Sequence, residues 1–258
     1  MTTNVSFDGD WRATVTDEPL PVTPRFTGDS VDIAPYADRE ERERFLAATF
    51  GSDEWLWDTP DTLRFDPDSR KLVGAELRLP YVSANAETTF RVPALPPVRQ
   101  GGLRADEVRD FRHEMCAVLC RAPEDAELAC LRDLDVLDAP LDARIGIAPD
   151  LALLVQHGTV VGWSLTDPAR HLTTPFTEPS PTPPSPATRR LLTECLNLVT
   201  QPLFDALEDD DPTALARLHA TAQALRTQPT DRPRADTLLT LIANLLEDHP
   251  DGTTGRNP

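Results

Sequence analysis

Six prolines fall between Thr173 and Thr188, at positions 175, 179, 181, 183, 184 and 186, and this run constrains the fold more than any other stretch of the chain. Proline fixes φ, removes a backbone donor and pushes the residue before it toward extended conformations, so neither a helix nor a central strand can cross such a segment. The apolar pattern also changes there. Before it, short runs alternate with period two; after it, apolar residues recur at helical spacing. The chain is therefore expected to be α+β: a mixed or antiparallel sheet with two or three packed helices, followed by a small all-α helical bundle. The expected division is an irregular lead over 1–34, an α+β domain over 35–172, a Pro/Thr/Ser-rich linker over 173–187, three helices over 188–249 and a disordered tail over 250–258.

Within the α+β part, 38–50 is charged first and apolar later, which predicts a helix stopped at Gly51. The run 63–80 predicts a hairpin, with Asp66-Pro67-Asp68-Ser69 as the turn and Val73, Ala75, Leu77 and Leu79 on one face of the second strand. A third strand is expected at Glu87–Val92. Val108, Phe111, Met115, Val118 and Leu119 form a helical stripe over 104–121, and a second short helix is expected over 124–134. Leu151–Leu165 predicts another hairpin around His157-Gly158. Beyond the prolines, helices are expected at 187–208 with a kink at Pro202, at 212–226 and at 233–248, the last two opened by proline at the first helical position. Three short helices bury little surface alone, so packing on the first domain is the alternative to a separate bundle.

With 43 acidic against 25 basic residues the net charge is −18. Such a field repels phosphate backbones and anionic lipids, which argues against nucleic acid or membrane as partner and favours a basic protein or peptide. Lys71 is the only lysine; that preference for arginine suits a GC-rich bacterial genome. The first twenty residues lack the pattern of a secretory signal and no apolar run approaches a membrane span, so the cytoplasm is the expected location. The four cysteines form no CxxC pair, which fits reduced thiols there.

Three constellations are candidates for chemistry. On a helix over 104–121, His113, Cys116 and Cys120 would share about 60° of arc. Their spacing lacks the paired pattern of a zinc site, so no metal is expected and the cysteines read as packing residues. Asp150, His157, Asp167 and His171 cluster around the ends of the 151–165 hairpin and suit acid–base work, with no nucleophile motif beside them. In GSDEWLWDTPD, Trp55 and Trp57 alternate with Asp53, Glu54 and Asp58, a pattern that can anchor a cation or can simply be a strand entering the core. Phosphate-binding glycine loops are missing, so no nucleotide cofactor is expected.

These observations favour a non-catalytic acidic binding module of the immunity, antitoxin or adaptor kind, engaging a basic surface through Trp55, Trp57, Asp53, Glu54 and Asp58. The alternative is a cofactor-free tailoring enzyme, a hydrolase, isomerase or cyclase, using His157, His171, Asp150 and His113. A scaffold subunit that assembles through its helices is the third reading.

Overall fold

A computed structural model describes residues 4–7, 10–52, 61–83, 93–113 and 115–248. Its strands are β1 (Asn4–Ser6), β2 (Arg12–Thr16), β3 (Arg25–Phe26), β4 (Ser30–Asp32), β5 (Phe50–Gly51), β6 (Thr62–Phe65), β7 (Leu72–Arg78), β8 (Val98–Gln100), β9 (Gly102–Ala105), β10 (Val118–Arg121), β11 (Glu127–Leu131), β12 (Ala143–Ala148), β13 (Leu151–Gln156) and β14 (Thr159–Thr166). The helices are α1 (Arg39–Ala48), α2 (Pro168–His171), α3 (Pro186–Leu198), α4 (Leu203–Glu208), α5 (Pro212–Thr227) and α6 (Arg232–Asp248). The fold is α+β, with mixed and antiparallel sheets and C-terminal helices that pack together.

The larger sheet has nine strands and follows the path β8-β12-β13-β14-β1-β2-β9, with β11 paired to β14 and β10 to β11. Its two ends are one stretch of chain. Gly101 separates β8 from β9 and donates its N–H to the Gly146 carbonyl of β12 at 3.0 Å. The run 98–105 thus pairs in parallel with β12 through its first half and antiparallel with β2 through its second, closing the sheet on itself. Closure leaves no open edge along this ring. A side chain at Gly101 would bring a Cβ within 2.5 Å of the Thr16 carbonyl, so the seam requires glycine. Along β13 the alternation is visible in the packing: Leu151, Leu153 and Val155 join the main core, whereas Leu154 joins a separate cluster with Val118, Leu131 and Val136.

The second sheet is antiparallel, in the order β3-β4-β7-β6-β5. Trp11 ties it to the first: its ring stacks on Phe111 at 3.9 Å and lies 5.1 Å from Phe65, and its indole N–H donates to the Arg109 carbonyl. The hairpin β6–β7 and the hairpin β13–β14 form where the turn residues and the period-two alternation predict them.

Three expectations are corrected. The helix over 104–121 does not form; β9 and β10 occupy its ends, and the described residues between them include no helix. Val108 is 55% exposed while Val118 and Leu119 are buried, so the apolar residues do not share the single face that a helix needs. The helix over 124–134 is instead a 3-10 turn at Pro123–Asp125, strand β11 and a second 3-10 turn at Leu134–Asp138. Its run Leu128–Leu131 is wholly buried because β11 is paired on both edges, to β10 and to β14. The lead over 1–34, expected to be irregular, carries β1 to β4. The strand expected at Glu87–Val92 and the tail at 250–258 lie outside the described residues.

The C-terminal helices start as their sequences dictate. Ser185 caps α3 ahead of Pro186, and the Asp211 carboxylate accepts from the N–H groups of Thr213 and Ala214 at the start of α5. Leu192, Leu196, Leu218, Leu225, Leu238 and Ile242 join the same apolar core as the sheets. Between sheets and helices the proline-rich segment is pinned: buried Arg234 donates to the carbonyls of Ser180 and Thr182 at 2.9 and 2.8 Å. Among the described residues no helix is long and apolar enough to cross a membrane.

Candidate functional site

The tight turns of β12–β13 and β13–β14 put Asp150 and His157 at opposite ends of β13, both with positive φ. The four hairpin residues therefore do not converge. His157 is an exposed turn residue. His171, at the end of α2, is buried, and its Nε2 lies 3.2 Å from Asp150 Oδ2. Burial holds the imidazole below its ordinary pKa, against the attraction of Asp150. Asp167, which precedes α2, is bound by both terminal nitrogens of Arg189.

His113 is elsewhere, edge-on to Phe7 at 5.3 Å. It and Cys116 face Asp61, a fully buried carboxyl that accepts from the Arg78 N–H at 2.7 Å and from the Cys116 thiol. Burial, reinforced by Asp61, pushes the Cys116 thiol well above its ordinary pKa, and Cys130 behaves alike, so neither is an activated nucleophile. Cys120 packs in the outer apolar cluster. Among the described residues no group of three or more His, Cys, Asp or Glu is arranged to hold a metal ion. The aromatic-acidic set Asp53, Glu54, Trp55, Trp57 and Asp58 lies outside the described residues.

The most developed site is one that no sequence motif marks. A cavity of about 310 Å³ lies between the second sheet, the segment 173–176 and α6. Its inner wall comes from strand register: Asp32 on β4 faces Glu76 on β7 and Arg25 on β3 as direct cross-strand partners. Arg25 is 3% exposed and Asp32 7%. The Arg25 guanidinium donates to the carbonyls of Tyr36 and Ala34 and lies 3.2 Å from Asp32 Oδ2, the oxygen that also accepts the Tyr36 hydroxyl at 2.5 Å. Asp32 Oδ1 is buried and has no hydrogen-bond partner among the described residues. Burial raises the Asp32 pKa to about 6; Tyr36 and Arg25 oppose the rise and Glu76 adds to it. Glu76 is held by Arg42 at 3.0 Å and Arg78 at 2.5 Å.

The opposite wall is softer in chemistry. Phe176 lies edge-on to Tyr36 at 6.1 Å, and Leu241 adds aliphatic surface. Thr173, Thr237 and Thr240 donate their hydroxyl protons to backbone carbonyls of their own segments, so they offer lone pairs rather than protons to anything bound. A second hollow on α3, around Arg189, Arg190 and Glu194, has no buried residue on its wall. The Asp32 cavity is therefore the better candidate, since perturbed buried acids and a concavity coincide there.

Asp32 and Glu76 escaped sequence reasoning because they are far apart in the chain and meet only through pairing. The one available signal was local: Asp32 sits between Val31 and Ile33, both in the core. No family model, curated protein or solved structure matches the chain.

Proposed function

We propose that this protein is a non-catalytic recognition module for a basic protein or peptide, with the Asp32 cavity as part of its contact surface. The observation that carries this reading is the wall chemistry. Asp29, Asp32 and Glu76 line the cavity; Arg25, Arg42 and Arg78 balance their charge, and Asp32 keeps an oxygen without a partner among the described residues. The whole-chain charge of −18 supplies the long-range attraction. Trp55 and Trp57, with Asp53, Glu54 and Asp58, remain proposed as a further contact. That neither nucleic acid nor membrane is the partner belongs to the same proposal and rests on the acidic charge; a cytoplasmic location is proposed with it.

A defined set of basic and acidic peptides tests it. Fluorescence anisotropy should show binding of the basic set alone, weakening steeply from 0.1 M to 1 M salt as the Debye length falls from about 10 Å to about 3 Å. Equal binding of acidic peptides, or salt-independent binding, overturns the reading.

A second reading, a cofactor-free acid–base enzyme, is favoured by one observation: a carboxyl held at about 6 directly across from a second carboxylate. Buried His171 with exposed Asp150 is a further acid–base candidate under this reading. Turnover of a small molecule in native lysate, lost in Asp32→Asn, would put this reading in place of the first.

A further inference from the structure

We infer that the Asp32 cavity takes a single primary ammonium group on an alkyl chain, either a free amine or a lysine side chain of a partner. This rests on the reading above that the ligand is cationic, and narrows it to one chemistry at one place. Three features of the walls select that group.

First, the protein's own cations already have acceptors. Arg25 donates to the carbonyls of Tyr36 and Ala34 and pairs with Asp32, while Arg42 and Arg78 each hold Glu76 through one terminal nitrogen. Second, acceptors remain. Asp32 keeps an oxygen without a partner, and the hydroxyls of Thr237 and Thr240 point their protons into α6. An ammonium brings three donors and no acceptor, which complements such a wall. Third, Tyr36, Phe176 and Leu241 offer apolar surface for four or so methylenes, and the volume of about 310 Å³ suits one alkyl chain better than a folded peptide segment.

The ammonium engages the Asp32 oxygen that Arg25 and Tyr36 leave without a partner, and an ion pair there requires Asp32 ionised. Among the described residues, the charged and titratable groups around Asp32 are Arg25 from β3, Glu76 and Arg78 from β7, Arg42 from α1, and Asp29 and Tyr36 from the flanking loops, and α6 contributes none to the cavity. Below about pH 6 the ligand must displace a proton, and its affinity should fall about tenfold for each further pH unit.

The test uses the full chain and four probes: n-pentylamine, 1-pentanol, Nα-acetyl-lysine-N-methylamide and the corresponding arginine compound. Isothermal titration calorimetry in buffers of different ionisation enthalpy should show pentylamine binding at pH 7.5 at least about tenfold more tightly than pentanol. It should release close to one proton per ligand at pH 5 and none at pH 8. Lysine amide binding as well as pentylamine assigns the site to a partner's side chain; pentylamine alone assigns it to a free amine; both support the inference. Arginine amide binding more tightly than either overturns it.

Asp32→Asn should abolish the pH dependence and weaken pentylamine by about tenfold or more. Because that change touches a buried pair, Asn244→Arg is the companion variant. Asn244 is an exposed cavity residue on α6, a position where arginine keeps the helix and fills the site with a competing cation. Unchanged pentylamine binding in Asn244→Arg, or equal binding of pentanol, overturns the inference. If Asn244→Arg still binds basic peptides in a salt-dependent way, the cavity is wrong and the recognition reading stands. If pentylamine binds as expected while no basic peptide does, the recognition reading falls and the amine site stands.

Discussion

Two buried arginine–aspartate pairs in this molecule are built to different degrees of completion. Arg121 on β10 grips Asp125 with Nε and a terminal nitrogen at 2.6 and 2.8 Å, Thr193 donates to the same carboxylate, and the remaining arm of Arg121 reaches Asn197 at 2.6 Å. Both oxygens of Asp125 and every arm of the guanidinium are occupied, and the pair joins a strand to α3. Arg25 and Asp32 are about as buried, yet Asp32 takes both its donors on one oxygen and leaves the other without a partner among the described residues. The complete pair is shut inside packed structure; the incomplete one lines a cavity. A buried charge with all its valences filled serves the fold, and unfilled valence beside a cavity is what a ligand can use.

The largest test of this contrast is Arg121→Met. It leaves the Asp125 carboxylate buried without a countercharge and should cost about 3–5 kcal/mol in urea unfolding. Adding Asp125→Leu should recover most of that loss. A cost below about 1 kcal/mol would mean the two pairs differ less than their geometry implies.

The Asp32 side gives a pH signature of opposite character to ordinary ion pairs. Its pKa is raised in the folded chain, so between about pH 4 and about pH 6 the folded state holds a proton that the unfolded state releases. Stability is therefore greatest at the acid end of that window and falls as pH rises through it, by about 3 kcal/mol from this group. Urea midpoints measured across the window should show that fall in the wild type, and Asp32→Asn should remove it.

Arg234→Ala should cost about 2 kcal/mol by stranding the carbonyls of Ser180 and Thr182. We place the first proteolytic cut of the wild-type chain within 173–187, releasing a C-terminal helical fragment. The arginine variant should be cut there several times faster, and a first cut within 151–165 would refute that placement. Smallest of all, Asp150→Asn should change stability by less than about 1 kcal/mol, since that carboxylate is 36% exposed. It should lower the His171 pKa further, read from the imidazole proton shifts by NMR.

The parts of this fold that were legible in sequence are those whose physics is local. The β6–β7 and β13–β14 hairpins carry their turns in adjacent residues, α3 and α5 carry their caps, and α3, α5 and α6 carry their apolar stripes. The strands β10 and β11 were not legible, because Val118–Arg121 and Leu128–Leu131 are buried on both faces, and a short run apolar on both faces has no period to distinguish strand from helix. In the lead, β1 is too short to show alternation and β2 alternates over only five residues; pairing with β14 and β9 makes them strands. The cavity was illegible for a related reason. Its wall is a row across strands, Asp32 beside Glu76, and nothing within either segment announces the other. Asp150 and His171 did meet, across 21 positions, while His157 was carried to the far end of β13 by the strand between them.

The closed ring has a consequence for the order in which this chain can be made. Ser6 meets Thr159, 153 positions further on. At roughly 5–20 residues added per second, the β1–β2 ribbon exists for roughly 8–30 s before its partner in β14 has been synthesised. For the first part of that interval, until β9 has been made, Val5, Ala13 and Val15 have no neighbouring strand beyond their own ribbon. The seam at Gly101 likewise waits for Gly146. Ring closure is thus a late event that joins distant parts of the chain, which places this protein among slow folders governed by non-local contacts and makes the nascent N-terminal ribbon the segment most in need of protection by a chaperone.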